Sequence, residues 1–430
     1  MNEAKKSDVD LVMNALNDYL SYLKRMNTTK FDVHEFFSFM EPIFIKAGYR
    51  EQRQGGGQSH NILLLTGDGR GDFVFMSPAI REIRRIYPKA HITLLATNFY
   101  EMLAENCPYV DEIVFRTWQG TMDTGVCFEK NLTILPQLLE KHFDMAITFK
   151  AFADFHWLMY ASGARIRVTS SPIENFKYLC THIIAAGKYG NHVVDYYLSV
   201  IDSFLKLPVV NRELEVWYTP KDLEIAKYIV KDLPRPLYAL MMGAAHPRRH
   251  YPPEKYAQLI KMILLEEPTA TFINFGAGPI DLKSSEIFRK SLGEEIFKRH
   301  IVKAVNKSNF RTDSAIISFC DMYIGNNTGF MVVASAAKCP CLLVECFPKD
   351  LDTGFYDIPR LYSPYKVPSV SVQPQHALPE CAVNEPYHQY GCRADKAHCI
   401  TQIAPETLLR GFHLLKEKIS KKDCTTTYIY

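Results

Sequence analysis

Three short stretches of this sequence combine glycines with groups that move protons or hold phosphate. The first is Gly67-Asp68-Gly69-Arg70-Gly71-Asp72, straight after the apolar run Asn61 to Thr66. Glycines at this spacing allow tight turns and close approach of backbone to ligand. A carboxylate in such a turn serves as a general base or as a helix cap, and both readings fit Asp68 and Asp72. The spacing is not G-x-G-x-x-G, so a nicotinamide-dependent oxidoreductase lacks its fingerprint.

The second stretch is Met242-Gly243-Ala244-Ala245, followed by His246-Pro247-Arg248-Arg249. Arg249 is either an exposed base or a cation for a leaving diphosphate. Further on, Gly276-Ala277-Gly278-Pro279-Ile280-Asp281 places a carboxylate at a helix start, where it caps the helix or meets a ligand. The third stretch is Asn326-Asn327-Thr328-Gly329 ahead of a helix of small residues. Free N–H groups and the positive dipole end at Thr328 and Gly329 suit a diphosphate.

These stretches need strands to carry them. Short apolar runs at 61–66, 92–96, 112–116 and 145–149 alternate with amphipathic stretches, as strands and helices of a parallel sheet do. A strand is expected at Leu214 to Tyr218, and Thr219-Pro220 opens a helix. The alternation restarts at Leu237, with further strands at 271–275, 322–325 and 342–345. Ser77-Pro78 reads as a helix start, and Arg81, Arg84 and Arg85 read as its solvated face. The fold class expected is α/β, with two doubly wound Rossmann-like domains facing a cleft and a helical extension before them. The expected division is 1–59 for the extension and its glycine-rich linker, 60–219, 220–403, and 404–430 for a last helix that crosses back.

The chain has 430 residues, 47% hydrophobic and 23% charged, which suits two well-packed domains and argues against global disorder. A net charge of +3 gives no sign of a nucleic-acid partner. The amino terminus MNEAKKSDVD has no apolar core, so no secretory signal is expected and a cytoplasmic location is. Peripheral membrane contact and homo-oligomer formation stay open. The 11 cysteines, an odd number, do not read as a secreted disulfide framework.

The order of motifs resembles glycosyltransferase family 9, the bacterial heptosyltransferases. Ile62 to Ile80, ILLLTGDGRGDFVFMSPAI, is similar to the family's amino-terminal signature, with Gly71-Asp72 and Pro78-Ala79 at its marked positions. Asn106-Cys107-Pro108-Tyr109-Val110-Asp111 and Tyr323-Ile324-Gly325-Asn326-Asn327-Thr328-Gly329 follow in family order. The resemblance implies a GT-B fold and an inverting transfer with Asp72 as general base. It implies Gly69, Arg70 and Gly71 as the acceptor-side loop. It implies Gly243, Ala244, Ala245, Arg249, Asp281, Asn327, Thr328 and Gly329 as donor contacts. The implied donor is ADP-heptose, and the implied acceptor is a glycan, a lipid-linked glycan such as lipopolysaccharide core, or a protein hydroxyl. No cofactor is implied for the chemistry.

Two positions depart from the family pattern: Asn327 stands for its Asp and Val332 for its His. They keep two alternatives in view, a different nucleotide sugar and a non-catalytic nucleotide- or glycan-binding paralogue. Cys381, Cys392 and Cys399 lie in an aperiodic tail with His388 and His398. Relatives that modify autotransporter adhesins hold iron through carboxyl-terminal cysteines, so a structural iron or zinc is one reading here. Reduced cysteines in an irregular loop are the other.

Overall fold

A computed structural model describes residues 3–26, 31–51, 60–67, 69–117, 126–150, 152–169, 174–184, 192–244, 247–350, 358–379 and 396–430. The chain divides into two units, Met1–Gly190 with Val194–Arg212, and Asn191–Val193 with Glu213–Tyr430.

The first unit runs α1 (Glu3–Arg25), α2 (Val33–Lys46), β1 (Asn61–Leu65), α3 (Arg70–Ile86), β2 (His91–Thr97), α4 (Glu101–Ala104) and β3 (Glu112–Arg116). It continues through α5 (Phe128–Leu139), β4 (Met145–Thr148), α6 (Ala153–Ala161), β5 (Ile166–Thr169), β6 (His182–Ile183) and α7 (Val193–Ser199). Its strands are parallel, in the order β3-β2-β1-β4-β5-β6. The order reverses between β1 and β4, because the chain goes outward from β1 on one side and returns to its other side.

The second unit runs α8 (Pro220–Val230), β7 (Leu237–Met241), α9 (Pro253–Glu266), β8 (Thr271–Phe275), α10 (Gly278–Leu292), α11 (Glu294–His300) and β9 (Ile301–Lys303). After these come α12 (Phe310–Ile317), β10 (Met322–Asn326), α13 (Gly329–Ala336), β11 (Cys341–Val344), α14 (Ile358–Leu361), β12 (Ser369–Val372), α15 (Pro405–Lys421) and β13 (Thr426–Ile429). The sheet order is β13-β12-β11-β10-β7-β8-β9, again parallel, with its reversal between β7 and β10. β7, β8 and β10 are buried along their whole length, as a sheet covered on both faces requires.

Several boundaries differ from the sequence reading. The units divide at Arg212 and Glu213 rather than after Thr219. Residues 214–218 form no regular element and join no ladder among the described residues. The helix expected from Ser77-Pro78 begins at Arg70 and carries Pro78 inside it. Pro78 has no N–H to give the Val74 carbonyl; the Ser77 hydroxyl donates to that oxygen instead, at 2.7 Å. This local repair lets the helix run on and sets Asp72 in its first turn.

The arginines of α3 form only a partly solvated face: Arg85 is exposed, and Arg81 and Arg84 are half-buried. Arg81 donates to the Asn211 carbonyl and Arg85 to that of Pro208. Arg84 bonds the carbonyls of Tyr109 and Ala90 and pairs with Asp111. They tie the helix to its own unit.

The extension joins the first core. Val12, Leu16, Tyr19, Phe36, Met40 and Phe44 are buried in the cluster that holds Trp157 and Tyr160. Each large apolar side chain so placed contributes about 1.5–3 kcal/mol. Arg50 seals the joint, donating to Glu41 and to the Gly163 and Ala164 carbonyls, while the Tyr160 hydroxyl donates to Glu41 at 2.8 Å. The last helix does not pack as expected for one crossing back. Leu408, Phe412 and Leu415 of α15 lie in the second unit's own core, and β13 closes that sheet's edge beside β12.

Candidate active site

Both sheets present their loops where the strand order reverses, the position at which such sheets bind ligands. In the first unit the loop after β1 meets the end of β4, its neighbour in the ladder. Asp72 lies in the first turn of α3 behind the cap residue Gly69, which has no side chain to cap with. Its Oδ1 accepts from Lys150 Nζ at 2.6 Å, and both side chains are largely buried. The carboxylate is therefore committed to an ammonium, while the helix dipole also favours its charge. A methyl on Gly67 would lie 2.8 Å from Lys150 Cε, so the lysine would have to shift to admit it. Arg70 donates to the Phe99 carbonyl at 3.1 Å and covers the Phe99 ring at 4.4 Å, and burial holds its pKa below the usual arginine value. Phe73 stacks on Tyr100, whose hydroxyl shares a short bond with Thr66. Asp68 lies outside the described residues.

In the second unit the loop after β7 meets the end of β10. Asn326 fastens the two: its Nδ2 donates to the Met242 carbonyl, and its Oδ1 accepts from the Tyr256 hydroxyl at 2.8 Å. The Tyr323 hydroxyl donates to the Asn326 carbonyl at 2.8 Å. Burial pushes both tyrosines far above their usual pKa, so they stay neutral donors. His250 Nε2 donates to the Ala244 carbonyl at 2.7 Å and steadies the same loop. Arg249 Nε is buried with no acceptor among the described residues. Ala245 lies outside them.

Asp281, in the first turn of α10, answers one of its alternatives directly. Its Oδ2 accepts from the Ala277 N–H at 2.7 Å, closing the helix start. The other oxygen lies against Gly243, where any Cβ would overlap it. Burial pushes the Asp281 carboxyl up, against the pull of the Ala277 N–H and the charge of His250. Thr328 caps α13 without a side-chain bond, and Gly329 is its first residue. Val332 is buried in the helix's inner face. Asn327 is half-buried and donates through Nδ2 to Glu345 Oε1 at 2.8 Å.

The structure thus brings Gly69, Arg70, Gly71 and Asp72 together at one reversal, and Gly243, Ala244, Asp281, Asn327, Thr328 and Gly329 at the other. Sequence reasoning missed Lys150, Asn326 and Glu345. Each stands at or just past the carboxyl end of a strand, which was a usable signal. Their neighbours depend on strand order, which was not.

Of the proposed metal ligands only Cys399 lies among the described residues. Among the described residues no group of three His, Cys, Asp or Glu side chains is placed to hold a metal. Cys399 is buried, with Leu378 N–H donating to its sulfur and His398 Nδ1 at 2.9 Å. Cys381 and Cys392 lie outside the described residues. No described helix is long and apolar enough to cross a membrane.

Residues 132–344 match the model of glycosyltransferase family 9 (heptosyltransferase). That segment is a glycosyltransferase family 9 domain. The transferase is 23% identical over 300 residues to lipooligosaccharide heptosyltransferase 2 of Haemophilus influenzae, covering 66% of this chain and 82% of that one. Its fold is shared with the family 9 glycosyltransferase of Veillonella parvula, at TM-score 0.65 and 17% identity over 85% of this chain and 100% of that one. The ADP-heptose lipopolysaccharide heptosyltransferase II of E. coli superposes at TM-score 0.60 and 17% identity, over 84% and 99%. The two parallel-sheet units are those of a GT-B transferase.

Proposed function

We propose that this transferase moves a heptose from ADP-heptose to a hydroxyl of a glycan acceptor, lipopolysaccharide core being the first candidate, by a single inverting displacement. The observation that carries the reading is Asp72, a carboxylate held by Lys150 at the strand-order reversal of the first sheet. Asp72 takes the proton of the acceptor hydroxyl as it attacks the anomeric carbon, and the nucleoside diphosphate leaves. One base suffices for this route, whereas retention through a covalent intermediate asks for a nucleophile as well.

The second unit's loops supply the donor contacts in this reading. Arg249, whose buried Nε lacks an acceptor among the described residues, suits the diphosphate charge that develops as the glycosyl bond breaks. The N–H groups at Thr328 and Gly329 suit the same charge. Asn327 and Val332 favour a second reading, transfer from a different nucleotide sugar by the same base. The cytoplasm, where nucleotide sugars are held, is the proposed location.

Thermal stabilisation by ADP, UDP, GDP and CMP at matched concentration separates these readings. A shift with ADP alone, followed by turnover of ADP-heptose that Asp72→Asn abolishes, supports the first. A shift with another nucleotide moves the donor assignment to that nucleotide. Nucleotide binding with no turnover of any donor leaves a binding protein and overturns the enzymatic reading of Asp72.

A further inference from the structure

Glu345 is the first residue after β11, and its side chain is almost wholly buried, at 1% exposure. β10 and β11 are paired so that Asn326 faces Val344. Residues 327 and 345 are therefore the next pair along, and the sheet itself sets an amide beside a buried carboxylate. Asn327 Nδ2 donates to Glu345 Oε1 at 2.8 Å, and the Tyr362 carbonyl lies at 3.4 Å from the same nitrogen. Both groups accept only, when the carboxylate is ionised. The amide cannot turn over without setting its oxygen against two acceptors, so its orientation is determined. Oδ1 is left on the other side of the amide carbon, and among the described residues no donor reaches it.

We propose that Glu345 is a positioning residue for donor recognition: it locks the Asn327 amide so that Oδ1 accepts from a hydroxyl of the bound sugar, beside the N–H groups at the start of α13. The proposal rests on the donor reading given above. The chemistry at this point is mixed. The helix start offers donors to a phosphate oxygen, while an outward amide oxygen repels a phosphate and welcomes a hydroxyl. A ligand that satisfies both has a hydroxyl-bearing group next to a phosphate, as a nucleotide sugar does and a free nucleoside diphosphate does not at its terminal end. Where the family pattern has a carboxylate at 327, this chain has an amide there and the carboxylate one strand away, so the acceptor oxygen is kept and a like-charge pair is avoided.

Exchange of the two groups tests this. Glu345→Gln loosens the lock, because its amide can present either oxygen or NH2 to Asn327 and so no longer dictates which way Asn327 turns. Asn327→Asp sets two carboxylates side by side, and the double variant restores an amide facing a carboxylate with the places reversed. Binding of ADP-heptose and of ADP to the full chain is measured by calorimetry, with thermal unfolding as a check on folding. Each single variant is expected to bind ADP-heptose about tenfold more weakly, the loss of about one hydrogen bond to a charged or well-placed group, with ADP affinity changed less than about twofold. The double variant is expected to recover most of the ADP-heptose affinity. Losses that add in the double variant, or losses shared equally by ADP, overturn the proposal. Absence of ADP-heptose binding to the unaltered chain overturns the donor reading and this assignment together. Binding by the unaltered chain without recovery in the double variant overturns this assignment alone. A single variant that fails to fold leaves the double variant as the deciding measurement, because it alone restores the pair.

Discussion

The two strand-order reversals use the same architecture for different electrostatics. At β1 and β4 the loop carries a full ion pair, Asp72 with Lys150, in a turn kept open by glycine. At β7 and β10 the fastening groups are neutral: the Asn326 amide, two tyrosine hydroxyls pushed far from ionisation, and a helix start. Of the charged groups there, Asp281 accepts from a backbone N–H and feels the charge of His250, and Glu345 accepts from an amide. A charged, partly open pair suits a group that must exchange a proton. A neutral, rigid cradle suits a ligand that brings its own charge, because preorganised donors lose nothing to internal ion pairs.

Breaking the first side at its carboxylate has the largest expected effect. Asp72→Asn keeps shape but loses the base, and kcat is expected to fall about 1,000-fold with nucleotide affinity unchanged, measured by single-turnover assay and calorimetry. Equal loss of nucleotide binding would show that the two sides are not separable in function. The second side is expected to break by shape rather than charge. Gly243→Ala sets a methyl against the Asp281 carboxylate, which is short and already bonded to Ala277. The expected loss is about 1–3 kcal/mol in urea unfolding, relieved when Asp281→Ala is added.

Asp313 sharpens the contrast, since it is a buried carboxyl of the second unit with no cation paired to it among the described residues. Burial raises its pKa from 3.8 to about 7, against a bond from the Ser308 hydroxyl. A raised folded pKa means that the native state holds the proton more tightly. The contribution to stability is full below the unfolded value of 3.8 and is lost as pH rises towards 7. Asp313→Asn is expected to gain about 2 kcal/mol over the parent at pH 8 and little at about pH 4, read from denaturant midpoints at both. The smallest effect is expected at Lys150. Lys150→Met leaves the base but frees its orientation, for about tenfold in kcat/KM, and Lys150→Arg recovers part of it. No effect of Lys150→Met on kcat/KM would mean that the pair is structural only.

Much of this was legible because buried parallel strands write themselves as unbroken apolar runs. Ile62 to Leu65, Leu237 to Met241 and Thr271 to Phe275 are such runs, and each is followed by the loop that carries candidate residues. Alternating strands were not legible. β5 (Ile-Arg-Val-Thr) and β12 (Ser-Val-Ser-Val) interleave polar with apolar residues, whereas β4 and β11, equally short, were read from their apolar runs. The run at 214–218 has strand-like residues but joins no ladder among the described residues, since pairing and not propensity makes a strand. Pro78 misled for a local reason: a proline marks a helix start unless a neighbouring hydroxyl takes over the orphaned carbonyl, as Ser77 does.

The sequence by itself determined which residues stand at the ends of strands and the starts of helices, and so placed Asp72, Gly243, Asp281 and Thr328 in strand-to-helix turns and first helical turns. Hydrophobic pattern and turn chemistry act over a few residues, and these placements need no more. Only the tertiary structure decided who meets whom. Lys150 reaches Asp72 across 78 positions, Tyr256 reaches Asn326 across 70, and Glu345 meets Asn327 because β11 lies beside β10. The buried strands that were legible carry much the same apolar signature, so the pattern says that a strand is buried without saying beside which other strand. That choice is made by packing of the whole sheet, and it turned separate loops into a charged pair on one side and a neutral cradle on the other.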